Sequence, residues 1–436
     1  MRNVMQEQDV TDWKERLAAY TPETEQERRD RNEILLAAEQ YGTQLLYRSH
    51  AESHFTCSGF VMNPAMDQVL MVYHRIYDSF AWTGGHADGS NDFLWTAVRE
   101  AKEETGIQKP YPLTGAILSL DILPVKAHRK KDVPVPAHQH YNVTYGIIAD
   151  QKETLRIQPD ENTAVQWIPV EQLPEICKEP HMLPVYEKVI RRMRRWKAMQ
   201  EQALLQTAQP LLAWYPLYAR DLPWRHTQEP YRIWLSEIML QQTRVEAVKN
   251  YYARFLETFP DIAALAAAEQ DQVNKCWEGL GYYSRAANLR KAAQTIQEQY
   301  GGVFPRTWEE VRGLAGVGDY TAGAVCSICY GLPTPAADGN VLRVAARVMN
   351  HFCEIDRPEQ KAAVTALLRQ VYLDNPEHCG TLTQAFMEIG ATVCVPNGQP
   401  HCEACPLSEL CLGRQYCDAL RLPQRTAKKA RRQEQY

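Results

Sequence analysis

Apolar positions along the chain change rhythm near its middle. In the first half they come as short runs bounded by polar and turn residues. Val69-Leu70-Met71-Val72-Tyr73 has the length of a buried strand, and Tyr141, Val143, Tyr145 and Ile147 alternate as a half-buried strand does. Between them, Asp92 to Thr105 predicts a helix with Phe93, Ala97, Val98 and Ala101 on one stripe. Val165-Gln166-Trp167-Ile168-Pro169 predicts a last strand before a short helix. From about Leu211 the period lengthens. Ile238, Val245, Val248, Tyr252 and Phe255 recur at helical spacing, and Ala-rich stretches at 263–268 and 286–293 follow, broken by Gly and Pro. The pattern predicts a mixed α/β half and an almost entirely helical half. The basic stretch Arg191–Lys197 reads as a helical linker between them.

A length of 436 residues favours two or three domains over one core. With 45% hydrophobic and 23% charged residues, disorder and a coiled-coil rod are excluded. No run approaches about 20 apolar residues, and the charged first forty residues lack a signal peptide's apolar segment, so a cytoplasmic monomer with no membrane partner is expected. The net charge of -5 is unevenly spread: residues 1–190 carry 19 Lys/Arg against 28 Asp/Glu, residues 191–436 carry 29 against 25. A second basic run spans Arg425 to Arg432. Solvated helix faces account for such a distribution as readily as a polyanion partner for the second half does.

Of 12 cysteines, only Cys57 and Cys177 precede residue 200. Cys394, Cys402, Cys405 and Cys411 follow the spacing C-x7-C-x2-C-x5-C. Short loops bring four soft sulfur ligands together at low entropic cost, and zinc and an iron–sulfur cluster both accept four thiolates. Spacing alone does not choose between them. Cys326 and Cys329 sit in a helical apolar run and are expected in the core.

Leu314-Ala315-Gly316-Val317-Gly318-Asp319-Tyr320-Thr321-Ala322 has two glycines placed to turn the backbone and aim N–H groups outward at a helix start, a geometry suited to a DNA phosphate. Around it lie Leu222-Pro223-Trp224-Arg225, Trp234 to Thr243, Gly279 to Ala286, and Ala337-Asp338-Gly339-Asn340-Val341. With the cysteines, these segments resemble MutY-type adenine DNA glycosylases of the helix–hairpin–helix superfamily, in order, from about Trp214 to Cys411. Two departures stand out. The first cysteine spacer is seven residues where the family usually has six, and Ala315 stands where it usually has Pro.

The resemblance implies an all-α glycosylase domain over 206–415, a [4Fe–4S] cluster in loop 394–411, and double-stranded DNA with A:8-oxoguanine or A:G mispairs as partner. Breaking a purine N-glycosidic bond needs a protonated leaving base and a stabilised oxocarbenium-like sugar, work that two carboxyl groups can divide. By resemblance, Glu237 is the acid that protonates adenine and Asp338 the carboxylate that stabilises the sugar cation. They stand 101 positions apart, and without the resemblance Glu237 reads as a first-turn helix acid and Asp338 as a turn residue. Tyr320 occupies the position where sister lyases carry a Schiff-base Lys, which a phenol cannot replace, so a monofunctional enzyme is implied, with Tyr320 hydrogen-bonding near Asp338. Tyr282 corresponds to an aromatic wedged into the DNA stack beside an extruded base. Arg225, Leu240, Gln242, Thr243, Asn340 and Glu388 correspond to lesion-contacting or pocket residues, and Gly316 and Gly318 to the phosphate-binding hairpin.

In the first half, Gly85 and then Arg99-Glu100-Ala101-Lys102-Glu103-Glu104-Thr105-Gly106-Ile107 resemble the Nudix box. Glu100, Glu103 and Glu104 crowd one helix face, at about 0.2–0.5 kcal/mol per like-charge pair, and Mg²⁺ (or Mn²⁺) would remove that penalty. The box expects Glu where Asn91 stands. An α/β Nudix fold, a mixed sheet with helices, is implied for 1–188, followed by a basic helical linker at 189–205 and, after 415, a basic tail at 416–436. Two readings of this first domain follow: a Mg²⁺-dependent hydrolase of a nucleoside diphosphate-linked substrate, or a non-catalytic reader of the lesion.

Overall fold

A computed structural model describes residues 13–74, 78–130, 133–158 and 162–426, so most of the second basic run lies outside the described residues. The chain divides into two compact units, the first Met1–Met199 with His351–Cys353, the second Gln200–Asn350 with Glu354–Tyr436. No described helix is long and apolar enough to cross a membrane.

The first unit is built on an eight-stranded mixed sheet. Its centre is the strand Ser53–Met62, which runs parallel to His138–Ile148 from the pair Ser53↔Gln139 to Met62↔Ile148 and antiparallel to Gln68–His74 and Thr83–His86. Asn162–Pro169 completes one edge beside Gln68–His74. Because strand side chains alternate, Phe55, Cys57, Val61, Tyr141, Val143 and Tyr145 face one core with Phe93, Ala97, Val98 and Ala101 of the helix Phe93–Thr105. Phe60, Met62 and Ile148 face a second core with Tyr186, Val189, Ile190 and Met193. His138–Ile148 is thus buried on both faces over its second half, where its alternation predicts one wet face. The helix Phe93–Thr105 starts at Asp92, whose carboxylate accepts from Trp95 N–H at 3.0 Å, and ends at Gly106 with φ +79°.

The expected linker differs. Arg191–Lys197 lies inside the helix Leu183–Leu205, which up to Met199 belongs to the first unit's core and from Gln200 to the second unit. Arg192 is buried and donates to Glu27 at 2.7 and 2.8 Å and to the carbonyl of Leu118 at 2.7 Å. Arg194 donates to Met66 O, and Arg195 pairs with Glu23. These charges close an internal network, so the sign change in the sequence is no polyanion face here.

Among its described residues, the second unit has no strand and only an isolated bridge between Glu354 and Gln424 beside its helices. Its core wraps the helix Pro230–Leu240, with Ile233, Trp234, Leu235, Ile238 and Met239 all buried. Cys326 and Cys329 lie in or against this core, as expected. The supposed tail is packed as far as it is described: Leu422 is buried and Thr426 bonds Asp356 at 2.6 and 2.9 Å.

Candidate active site and metal centres

Glu229 starts the helix Pro230–Leu240, its carboxylate accepting from Tyr231 and Arg232 N–H. Glu237 is therefore in the last turns, not the first, where the helix dipole opposes a negative charge. It is buried, and its Oε2 has no hydrogen-bond partner. Burial, with the nearby Asp338 charge, pushes its carboxyl up to about 7 against the pull of Tyr320 and Arg225. Burial and the two neighbouring carboxyl groups, Glu237 and Asp338, likewise hold the Tyr320 phenol well above its ordinary value. Its hydroxyl points to Met387 Sδ at 3.7 Å. The hairpin's second helix, Asp319–Tyr330, thus brings Tyr320 to Glu237, and only proximity to Asp338, not a bond, is seen.

Asp338 caps the helix Gly339–Val348. Its Oδ1 accepts from Asn340 and Val341 N–H at 2.8 Å each, and Oδ2 from Asn340 Nδ2 at 2.9 Å. Three donors fix both oxygens of this N-cap. Asn340 also accepts from Arg343 at 3.1 Å.

Arg225 and Glu388, expected as separate pocket residues, form one buried ion pair. Glu388 also accepts from Arg220 N–H at 3.0 Å and from its guanidinium at 2.8 Å. Burial alone would raise the Glu388 carboxyl, but these Arg220 and Arg225 bonds outweigh it and hold the group at about 2. Glu388 is thus a fixed anion, unlike Glu237.

Gln242 and Tyr282 are both exposed and both left-handed, at φ +58° and +49°. Such backbone costs an L-residue about 1 kcal/mol or more, so something must hold it. Arg285 does. Its buried guanidinium donates to the carbonyls of Ile238, Met239 and Gln241 at 2.6–3.0 Å and to those of Leu280 and Gly281 at 3.0 and 3.1 Å. It also reaches Thr243 Oγ1 at 3.3 Å. Leu240 and Thr243, expected at the lesion, thus belong to the turn that Arg285 closes. Sequence reading passed over Arg285. The available signal was a cation in the first turn of the helix Ser284–Tyr300, where the dipole disfavours it.

In the hairpin, Gly316 has φ +75° and a Cβ there would meet Asn288 at 2.7 Å. Gly318 is the extended N-cap of Asp319–Tyr330, and Asp319 pairs with Arg312 at 2.5 Å.

Cys394, Cys402, Cys405 and Cys411 line one cavity with Arg347. Tetrahedral zinc, with Zn–S near 2.3 Å, holds thiolates roughly 3.8 Å apart. No three of these sulfurs lie within 4.8 Å of one another. Burial pushes the Cys405 and Cys411 thiols up to about 12 and about 11, so as thiolates they need a cationic centre. Arg347 donates to Cys394 Sγ at 3.3 Å and Val395 O at 2.9 Å, and Arg343 to Cys394 O at 2.9 Å.

In the first unit, Glu104 is buried and accepts from Gly84 N–H at 3.3 Å. A Cβ on Gly85 would meet the Glu100 carboxyl at 2.4 Å, so glycine there admits the carboxylate. Arg99 pairs with Glu100 at 2.7 Å and Glu103 at 3.2 Å. The like charges on this helix face are therefore already compensated in part without a metal, and the three carboxylates do not converge within 4.8 Å. Asn91 is exposed beside the helix cap.

Comparison with known proteins agrees with this division. Residues 53–192 match the model of the NUDIX domain, and residues 235–370 that of the HhH-GPD superfamily base excision DNA repair protein. The chain is 43% identical over 214 residues to an adenine DNA glycosylase of Homo sapiens, covering 47% of this chain and 39% of that protein. With the adenine DNA glycosylase of Schizosaccharomyces pombe it shares 38% identity over 231 residues, 48% of this chain and 50% of that protein. The chain thus spans half or less of the length of these two relatives. A solved thermostable thymine-DNA glycosylase is 26% identical, covering 50% of this chain and 99% of its own, with a TM-score of 0.45. A NUDIX domain is joined, in this chain, to a following domain of the HhH-GPD superfamily.

Proposed function

We propose that the second unit is a monofunctional DNA glycosylase that removes adenine mispaired with 8-oxoguanine or guanine. The observation that carries this reading is Glu237: a buried carboxyl raised to about 7, with one oxygen unpartnered, beside a phenol and a second carboxylate. Near neutral pH about half of it holds a proton, and the unpartnered oxygen is the atom able to deliver it to the N7 of an extruded adenine. As the base leaves, Asp338, held by three donors, offers its negative charge to the oxocarbenium-like sugar. Tyr320 cannot form a Schiff base, which favours hydrolysis without strand cleavage. The exposed Gln242 and Tyr282 would be the side chains that enter the stack, and the Gly316–Gly318 turn would take a backbone phosphate.

Cys394, Cys402, Cys405 and Cys411 would hold a [4Fe–4S] cluster, which when bound would order the loop beside the DNA. In the first unit, Glu100, Glu103 and Glu104 would hold Mg²⁺ for hydrolysis of a nucleoside diphosphate-linked substrate. The pairing of Arg99 with two of these acids favours a second reading, in which this unit reads the lesion without turnover.

Excision of adenine from an A:8-oxoguanine duplex by Glu237→Gln tests the first proposal. The amide fills the same volume but carries no acidic proton, so the rate should fall at least 10²–10⁴-fold with DNA affinity kept. Wild-type rates would overturn it. For the first unit, nucleotide hydrolysis by the full chain should vanish in Glu103→Gln and Glu104→Gln. If no substrate turns over, and the same variants lose the preference for 8-oxoguanine, the lesion-reading alternative holds.

A further inference from the structure

On the central strands of the first unit, four histidines crowd one face. His54 pairs in register with His140, His138 lies two residues along the same strand, and His86 stands on the neighbouring strand Thr83–His86. The rings of His54, His86 and His140 lie 5.0–5.1 Å apart, and those of His54 and His138 4.9 Å. One ring nitrogen each from His54, His138 and His140 falls within 4.8 Å of the others, the one such convergence of His, Cys, Asp or Glu among the described residues.

The hydrogen bonds around them set the tautomers. His54 Nδ1 faces the carbonyl of His50 at 3.2 Å, and His138 Nδ1 faces that of Pro136 at 2.9 Å. A carbonyl only accepts, so each Nδ1 carries the proton and each neutral ring presents Nε2 as a lone pair. That is how metal-bound histidines are held, with the distal nitrogen tied to a backbone oxygen. His54 is 5% exposed, and its Nε2 has no hydrogen-bond partner. His138 Nε2 and His140 Nε2 lie 3.1 Å apart, close to the separation of about 3.4 Å between nitrogens on one tetrahedral zinc ion.

We propose that His54, His138 and His140 form a binding site for a divalent transition ion of the zinc class, separate from the carboxylates of the Nudix box. Neutral imidazoles suit zinc and its neighbours and not Mg²⁺. Three ligands leave a fourth position for water or His86. The same face continues into a polar row in which Asn142 accepts from Thr56 and Ser58 at 2.9 and 2.8 Å and donates to Thr144 at 2.9 Å. The rival arrangement is a plain hydrogen bond from His140 to His138 with no ion.

The test is zinc titration of the full-length protein, stripped by a chelator under conditions that keep its iron content. One equivalent should bind, with Co²⁺ in its place giving the visible d–d bands of a nitrogen-rich tetrahedral site. His138→Gln and His140→Gln, at half-buried positions, should each weaken zinc at least 100-fold while iron content stays unchanged. His54→Gln should do the same, and if it fails to fold the other two variants still decide. No bound zinc in the wild type, equal affinity in the His138 and His140 variants, or loss of zinc only in Glu103→Gln would each overturn the proposal.

Discussion

Glu237 and Glu388 are both buried glutamates, yet one is held near 7 and the other near 2. The difference is the company each keeps. Glu388 has two guanidiniums, while Glu237 has a phenol, a distant Arg and a second carboxyl. Two expectations follow. A general acid must be protonated to act, so single-turnover excision should be flat below about 7 and fall roughly tenfold per pH unit above it. A stopped-flow pH profile without that midpoint would remove Glu237 from the role. The second concerns stability. A carboxyl raised from 4.5 to about 7 favours the fold least where it is ionised, so its penalty sets in above pH 4.5 and is complete above about 7. That penalty is on the order of 3 kcal/mol, and Glu237→Gln should therefore raise the melting temperature at pH 8 while abolishing excision. Calorimetry at pH 8 and pH 5 checks it, since the gain should shrink at the lower pH. From the sequence, Glu237 was legible only through its flanking matches. Neither its place near the helix end nor its burial could be read from one acid in an apolar run.

At the scale of elements, the loops that would meet DNA are set by a side chain from a third element. Arg285 ties the end of the helix Pro230–Leu240 to the loop at Leu280–Gly281, so Gln242 and Tyr282 are presented together. Arg285→Met would leave the carbonyls of Met239 and Leu280 without a donor and remove one of the donors to those of Ile238, Gln241 and Gly281, and each buried acceptor orphaned costs about 1–3 kcal/mol. The expected outcome is loss of base extrusion, read by fluorescence of a 2-aminopurine beside the lesion, with the pH midpoint of residual excision unchanged. A merely structural Arg would move neither signal relative to melting temperature. The central strand Ser53–Met62 went unread for a related reason. Its Ser53, Thr56, Ser58 and Gly59 break the apolar run, and they are buried through the sheet's own pairing and through Asn142, 80 or more positions away. Gly59 packs closely there: a Cβ would meet the Ala97 carbonyl at 3.0 Å and the tip of Ile147 at 2.7 Å. By contrast the strands at 68–74 and 138–148, the helix at 93–105 and the helical second half follow from local periodicity alone.

For the molecule as a whole, the division at mid-chain was legible as a change of period, but its position was not. Arg192 looks like part of a basic linker because its partner, Glu27, lies 165 positions earlier. Burial alone would raise Glu27, yet the bonds from Arg192 and Tyr20 hold it at about 2. Its contribution to stability is present above about 4.5 and lost as the pH falls toward 2. Arg192→Met should leave the buried Glu27 carboxylate with Lys188, 3.2 Å away, as its remaining cation, and cost the first unit at most about 3–5 kcal/mol at neutral pH, with part of that loss disappearing in acid as Glu27 protonates. Urea unfolding followed at pH 7 and pH 4 measures both. A loss below 1 kcal/mol at pH 7 would return Arg192 to the surface.

The helix Gly339–Val348 carries a further consequence. Its first residues are anchored on Asp338, its middle on the carbonyls of Gly390 and Cys394 through Arg343, and its end on Cys394 Sγ through Arg347. If the four cysteines hold iron as proposed, a chain made in an iron-starved cell would lose more than an ordered loop. With the cysteine loop slack, the far end of that helix would keep the Arg347 bond to Leu422 O at 3.0 Å but lose its bonds to the loop, and the proposed excision would track iron supply in turnover as well as in affinity.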